Sequence, residues 1–279
     1  MGKKRDREER DPDAMEDSSD EDFDIVNVDF EWFNFDPQID FHGAKTLVRQ
    51  LLDVDAPLID VSAVVDLILS QPTIGSTVKV DGKETDAYAL ITALGVKTHA
   101  EHAGLKGLVA YLAEKAGGET AEVLKSGKDV GLVLSERLIN MPSEVAPPLY
   151  SMLVDELDAA VEDKEPYAFT HYVVLSRVYR EVAPDPEVQT PQQPNRKKVK
   201  EAPASGSDEV FYFHAEDEVL RRYATATASF LYEKEGEAVA ESKRAFSEMG
   251  IRTEGFTMVL EAGKFREAVD AMKGFVGGA

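Results

Sequence analysis

Between Val26 and Phe275 the apolar residues change period repeatedly, and this alternation constrains the fold more tightly than any motif. Val26, Val28, Phe30 and Trp32 alternate with Asn27, Asp29, Glu31 and Phe33, the period of a half-buried strand. Phe33 and Phe35 leave the second face mixed. From Phe41 the period turns helical, with Ala44, Leu47, Val48, Leu51 and Leu52 on the same face. Asp60 is placed to cap a helix whose Val61, Val64, Val65, Ile68 and Leu69 are apolar, ending before Pro72. Residues 76–80 and 87–94 predict two strands joined through Asp81-Gly82, and Glu101–Lys115 a helix closed by Gly117-Gly118. Val130–Leu134 predicts a short strand, Pro147-Pro148 opens a helix through Leu157, and a long strand runs from Tyr167 to Tyr179. Further strands are expected at Glu209–His214, Ala224–Tyr232 and Thr257–Leu260, with helices over Glu237–Met249 and Lys264–Phe275. Such mixing predicts an α/β (α+β) fold, with a mixed, mostly antiparallel central sheet and flanking helices.

Residues 183–208 break the pattern. They hold five prolines and, within Arg196–Lys200, four basic side chains, with almost no apolar content. The composition predicts a disordered loop. Strand-like runs flank it, which favours a loop hanging from a hairpin over a divider between two domains. The expected organisation is a disordered acidic tail over 1–23 and a single domain over 24–279, interrupted at 183–208.

Charge narrows the function classes. The 279 residues carry a formal charge of −22, unevenly spread. Residues 1–10 sum to +2, whereas residues 11–40 hold twelve acids and no Lys or Arg. A surface of this sign repels a nucleic-acid backbone and attracts a basic partner, so direct nucleic-acid binding is not expected. No run approaches 18 apolar residues, so no membrane span is expected, and the N-terminal basic residues precede no signal-peptide apolar region. Ser18 and Ser19 stand beside Asp20, Glu21 and Asp22, a context for acidophilic phosphorylation that would deepen the charge. Arg196, Lys197, Lys198 and Lys200, between Pro194 and Pro203, match what a nuclear import receptor reads, which predicts a nuclear protein.

The catalytic patterns do not assemble. With no cysteine there is no thiolate metal site and no cysteine nucleophile. There is no Walker loop and no G-x-G-x-x-G after a strand. His99, Glu101 and His102 lack further ligands, and Ser135-Glu136-Arg137 lacks the G-x-S-x-G elbow. No catalytic residue, metal or cofactor is expected.

Three stretches carry a resemblance: Val26–Asp36 with Asp40–Gly43, Leu134–Pro142 with Val145–Pro148, and Phe211–Glu218. They resemble the BCCIP family, including its fungal BCP group, from about residue 24 onwards. The resemblance implies a nuclear, non-enzymatic protein with a fold related to the GCN5-type acetyltransferases. It implies a chaperone for a basic large-subunit ribosomal protein, universal number fourteen (eukaryotic number twenty-three), in 60S subunit production. It also implies a general adaptor role for export of a lipid kinase or for cell-cycle partners, and shuttling to the cytoplasm. The R/Q-x-x-G-x-G/A loop of acetyltransferases does not occur before any helix, which weakens an N-acetyltransferase reading.

For such a client, charge speeds encounter while apolar groups supply residence time. Trp32, Phe33 and Phe35, set among Asp29, Glu31 and Asp36, are the first candidates for the client surface; Trp32 and one phenylalanine serve equally well as core. Asp217 and Glu218, expected to form surface pairs with Arg221 and Arg222, are further candidates.

Overall fold

The computed structural model describes residues 29–182, 209–235 and 250–275. The tail with Ser18 and Ser19, the basic cluster Arg196–Lys200 and the helix expected over Glu237–Met249 lie outside the described residues.

The period changes become strands and helices largely where expected. Strands β1 (Phe30–Asn34), β2 (Ser76–Val80), β3 (Ala89–Gly95), β4 (Val130–Arg137) and β5 (His171–Glu181) follow one another in the chain. After them come β6 (Phe211–Tyr212), β7 (Ala226–Phe230) and β8 (Ile251–Glu261). They form one sheet in the order β1-β2-β3-β4-β5-β8-β7, with β6 also paired to β5. Every pairing is antiparallel except β4 with β5, which runs parallel from Val130↔His171 to Leu134↔Leu175.

Helices cover both faces. α1 (Phe41–Leu52), α2 (Val61–Ser70), α3 (Ala103–Ala116) and α4 (Gly118–Lys125) pack on one side; α5 (Ala146–Glu162), α6 (Ala215–Tyr223) and α7 (Ala262–Phe275) pack on the other. Strand alternation divides the core between them. Leu90, Leu94, Leu132 and Leu134 point to the α1–α4 side, and Ile91, Ala93 and Val133 to the α5–α7 side. Each fully buried aliphatic side chain is worth about 1.5–3 kcal/mol, so both layers are needed to hold the sheet. Asp60 caps α2 by accepting from the Ala63 N–H at 3.1 Å, and α5 opens on proline.

The strand expected over Glu209–His214 shrinks to the two residues of β6, β4 and β5 shift their ends, and three further elements differ from expectation. β8 spans eleven residues rather than the four of Thr257–Leu260, because it pairs with β5 along its whole length, from Glu181↔Ile251 to His171↔Glu261, through the charged positions Arg252 and Glu254. α4 starts directly after Gly117, whose positive φ of 61° ends α3 without a loop. α6 replaces part of a segment without a helical pattern, since Val219 and Leu220 are the only aliphatic residues it buries.

Candidate functional site

Among the described residues β1 is a terminal strand of the sheet, paired with β2 on one side. Its alternation separates the aromatic candidates. Trp32, with Phe30, packs partly buried against the α5–α7 side, whereas Phe35 packs against the α1–α4 core. Phe33 lies under the Lys79 ammonium, 5.9 Å from the ring centre. Expected as one aromatic surface, the three rings instead anchor the strand to both layers, because residues one apart in a strand face opposite ways. Phe35 also requires Gly75: a Cβ at that glycine, whose φ is +107°, would sit 2.4 Å from the Phe35 ring.

The acidic candidates divide likewise. Asp29 and Glu31 are exposed. Asp36 is tied into the turn before α1: its Oδ1 accepts from the Gln38 N–H at 3.0 Å and its Oδ2 pairs with Lys83 at 3.3 Å. The Gln38 N–H and the Lys83 ammonium hold its carboxyl below the usual range. Beneath this turn Asp40 and Lys79 form an ion pair at 2.6 Å with no exposure on either side chain. Lys79 Nζ also donates to the Lys83 carbonyl at 2.7 Å, and Asp40 Oδ2 accepts from the Asp36 N–H at 2.7 Å.

Phe30 pairs with Val80, so the β2–β3 turn sits beside the start of β1. Across residues 29–34 and 81–86, Asp29, Glu31, Asp81, Glu84 and Asp86 are exposed against one exposed base, Lys83. That base is already paired with Asp36. The result is an acid-lined edge with half-buried aromatic rings along it.

Asp217 and Glu218 part company. Glu218 is exposed and pairs with Arg222 one helical turn on, as expected of a surface pair. Asp217 is 2% exposed and accepts from the Ser176 hydroxyl inside the molecule, which corrects its placement on a client surface. The first turn of α6 faces the sheet, so its second acid is turned inward.

This inward turn belongs to a polar network at the middle of the sheet. Beyond Leu134↔Leu175 the parallel strands diverge: β4 continues beside β3 to Arg137, and β6 takes up the edge of β5 at Val178 and Tyr179. Side chains from four elements enter the gap. Glu136 accepts from His214 Nε2 at 2.8 Å, from Gln50 Nε2 at 3.0 Å and from Arg177 at 3.1 Å. Arg137 pairs with Glu216, the acid next to Asp217. Burial alone would raise the Glu136 carboxyl, but the His214 hydrogen bond and the Arg177 charge outweigh it and hold the group below its ordinary value. Burial opposes the His214 imidazolium, yet Glu136 raises it. Asp217 is pushed up to about 7, mainly by burial. The network clamps α6 and the strand ends together, with ion pairs that bury charge only because each has a partner.

Sequence reasoning missed Glu136, Arg137, Arg177, His214 and Glu216 as a set. The available signal was charge interrupting apolar strands: Glu136-Arg137 closes Val130–Leu134, and Arg177 interrupts Tyr172–Val178.

Comparison with known proteins bears on all of this. The family model described as BCCIP matches residues 25–220. Protein BCP1 of Gibberella zeae is 55% identical over 292 residues, covering 100% of both chains. Protein bcp1 of Schizosaccharomyces pombe is 39% identical, covering 89% of each. The crystal structure of BCP1 from Saccharomyces cerevisiae superposes with a TM-score of 0.63 at 28% identity, over 93% of each chain. The mixed sheet with helices on both faces matches that structure.

Proposed function

The chain belongs to the BCCIP family, and we propose that it acts as a non-enzymatic acidic nuclear chaperone for a basic large-subunit ribosomal protein, universal number fourteen. One observation carries the reading. On the β1 edge the carboxylates of Asp29, Glu31, Asp81, Glu84 and Asp86 remain exposed, while the one exposed base of those segments is paired. Acids consumed in internal pairs would not attract a client; these remain available to one.

A ribosomal protein presents Lys and Arg meant for rRNA. An acidic counter-surface steers its encounter, screens it from stray nucleic acid and gives way when rRNA competes. The interior supports a binding role over catalysis, because the gap between β4 and β5 is filled by the chain's own Glu136, Arg177, Arg137 and His214. Import through Arg196, Lys197, Lys198 and Lys200 would bring the protein and its client to the nucleus.

Co-expression with that ribosomal protein tests the proposal. The expected result is a soluble 1:1 complex that dissociates with added salt, with the client insoluble alone. A client that stays insoluble beside excess chaperone refutes it.

A further inference from the structure

Among the described residues the sheet ends on two terminal strands, and their chemistry differs. β7 reads Ala226-Thr227-Ala228-Ser229-Phe230 and carries no charge. β1 carries exposed Glu31, follows exposed Asp29, and starts beside the acidic Asp81–Asp86 turn. On its outer side β1 has no strand partner among the described residues. Alternate N–H and C=O groups of such an edge are a template for another strand. Its acids mark which strand fits.

We infer that β1 is a strand-addition site: a basic, extended segment of a partner protein pairs along Phe30–Asn34 and extends the sheet by one strand. The inference rests on the chaperone reading above and names how that surface takes its client. The two faces of β1 set the pattern of the added strand. On the α1–α4 side it runs beside Glu31 and Phe33, which calls for Lys or Arg next to Glu31. On the α5–α7 side it runs beside Phe30 and Trp32, which calls for aliphatic or β-branched residues. A segment with basic residues on one face and apolar residues on the other satisfies both. A second copy of this chain fits poorly, since self-pairing would bring Asp29 and Glu31 towards the same acids of the other copy.

The test is hydrogen–deuterium exchange on the full chain, in complex with the co-expressed ribosomal protein. A second arm uses the chain alone with a synthetic peptide of alternating Lys and Val. Pairing slows exchange of the outward β1 amides by about tenfold or more. Glu31→Lys weakens binding by about fivefold and Glu31→Gln by less, because a reversed charge repels as well as failing to attract. Trp32 is the only tryptophan of the chain, so its fluorescence reports occupancy of the same strand.

If the complex forms while residues 30–34 exchange at the free rate, strand addition is overturned and the chaperone reading stands. If no complex forms but the peptide protects β1, the chaperone reading falls and the site survives. No complex together with no protection of β1 by the peptide overturns both. Protection that rises with the concentration of the chain alone identifies a second copy as the occupant and overturns the basic-partner assignment.

Discussion

Removing the Glu136 side chain is the most informative single perturbation of this molecule. Its carboxylate has no exposure and accepts from His214, Arg177 and Gln50, groups on three other parts of the chain. Glu136→Ala leaves a histidine side chain 8% exposed and an arginine 11% exposed without their acid. Deleting one member of a buried ion pair costs about 3–5 kcal/mol, because the remaining charge is neither hydrated nor compensated. For a chain of this size that corresponds to a fall in Tm of about 6–20 °C. Urea unfolding, followed by Trp32 fluorescence and by far-ultraviolet circular dichroism, gives the free energy directly. The His214→Ala single variant and the double variant complete a cycle, in which the pair should couple by more than about 1 kcal/mol. The pH dependence supplies a second readout. The Glu136 carboxyl is held below its ordinary 4.5 in the fold, so its contribution is present above that value and is lost as pH falls through the lower folded value. Glu136→Ala should therefore flatten the acid limb of the stability curve. A cost below about 1 kcal/mol, with an unchanged acid limb, would show that the network does not clamp α6.

Asp217 titrates the other way: pushed up to about 7 from 3.8, it contributes stability at low pH that declines as pH rises from about 4 to about 7. Asp217→Asn, which keeps a partner for Ser176, should remove most of that decline and be the more stable protein at pH 8, as urea titrations across pH would show. His214, raised above 6.5, adds a further loss as pH climbs through its folded value, visible as a histidine proton resonance that titrates late. At the buried Lys79–Asp40 pair, Asp40→Ala should destabilise by about 3–5 kcal/mol, whereas the paired change Asp40→Leu with Lys79→Met should cost much less. Gly255→Ala places a Cβ 2.3 Å from the Phe230 ring and should cost about 1–3 kcal/mol by calorimetry, with Phe230→Ala partly relieving the clash. Glu218→Ala, which removes an exposed helical pair, should change stability by less than about 0.5 kcal/mol in the same assay.

Helix α1 was legible to the residue and α2 from its Asp60 cap onward, since their apolar faces and that cap are local patterns and local hydrogen bonds complete them. The β2–β3 hairpin was legible for the same reason, with Asp81 and Gly82 supplying the positive φ angles of its turn. The mixed sheet follows from the mixture of periods. α6 was not legible, because half of its buried residues are Glu216 and Asp217, and acids in a sequence read as solvent-facing. The acid-lined edge was half legible: Asp29 and Glu31 were named, but Asp81, Glu84 and Asp86 join them only through the Phe30↔Val80 register.

By itself, then, the sequence determined most of the strands and helices, the sign of the surface charge and the absence of thiol chemistry, because periodicity, net charge and composition need no knowledge of neighbours. Only the tertiary structure decided which strand is terminal, that β4 and β5 run parallel and then part, and which charges are buried. Glu136 meets Arg177 across 41 residues of chain and His214 across 78. A charged side chain enters a core when a distant partner arrives to neutralise it, and no local pattern records that arrival.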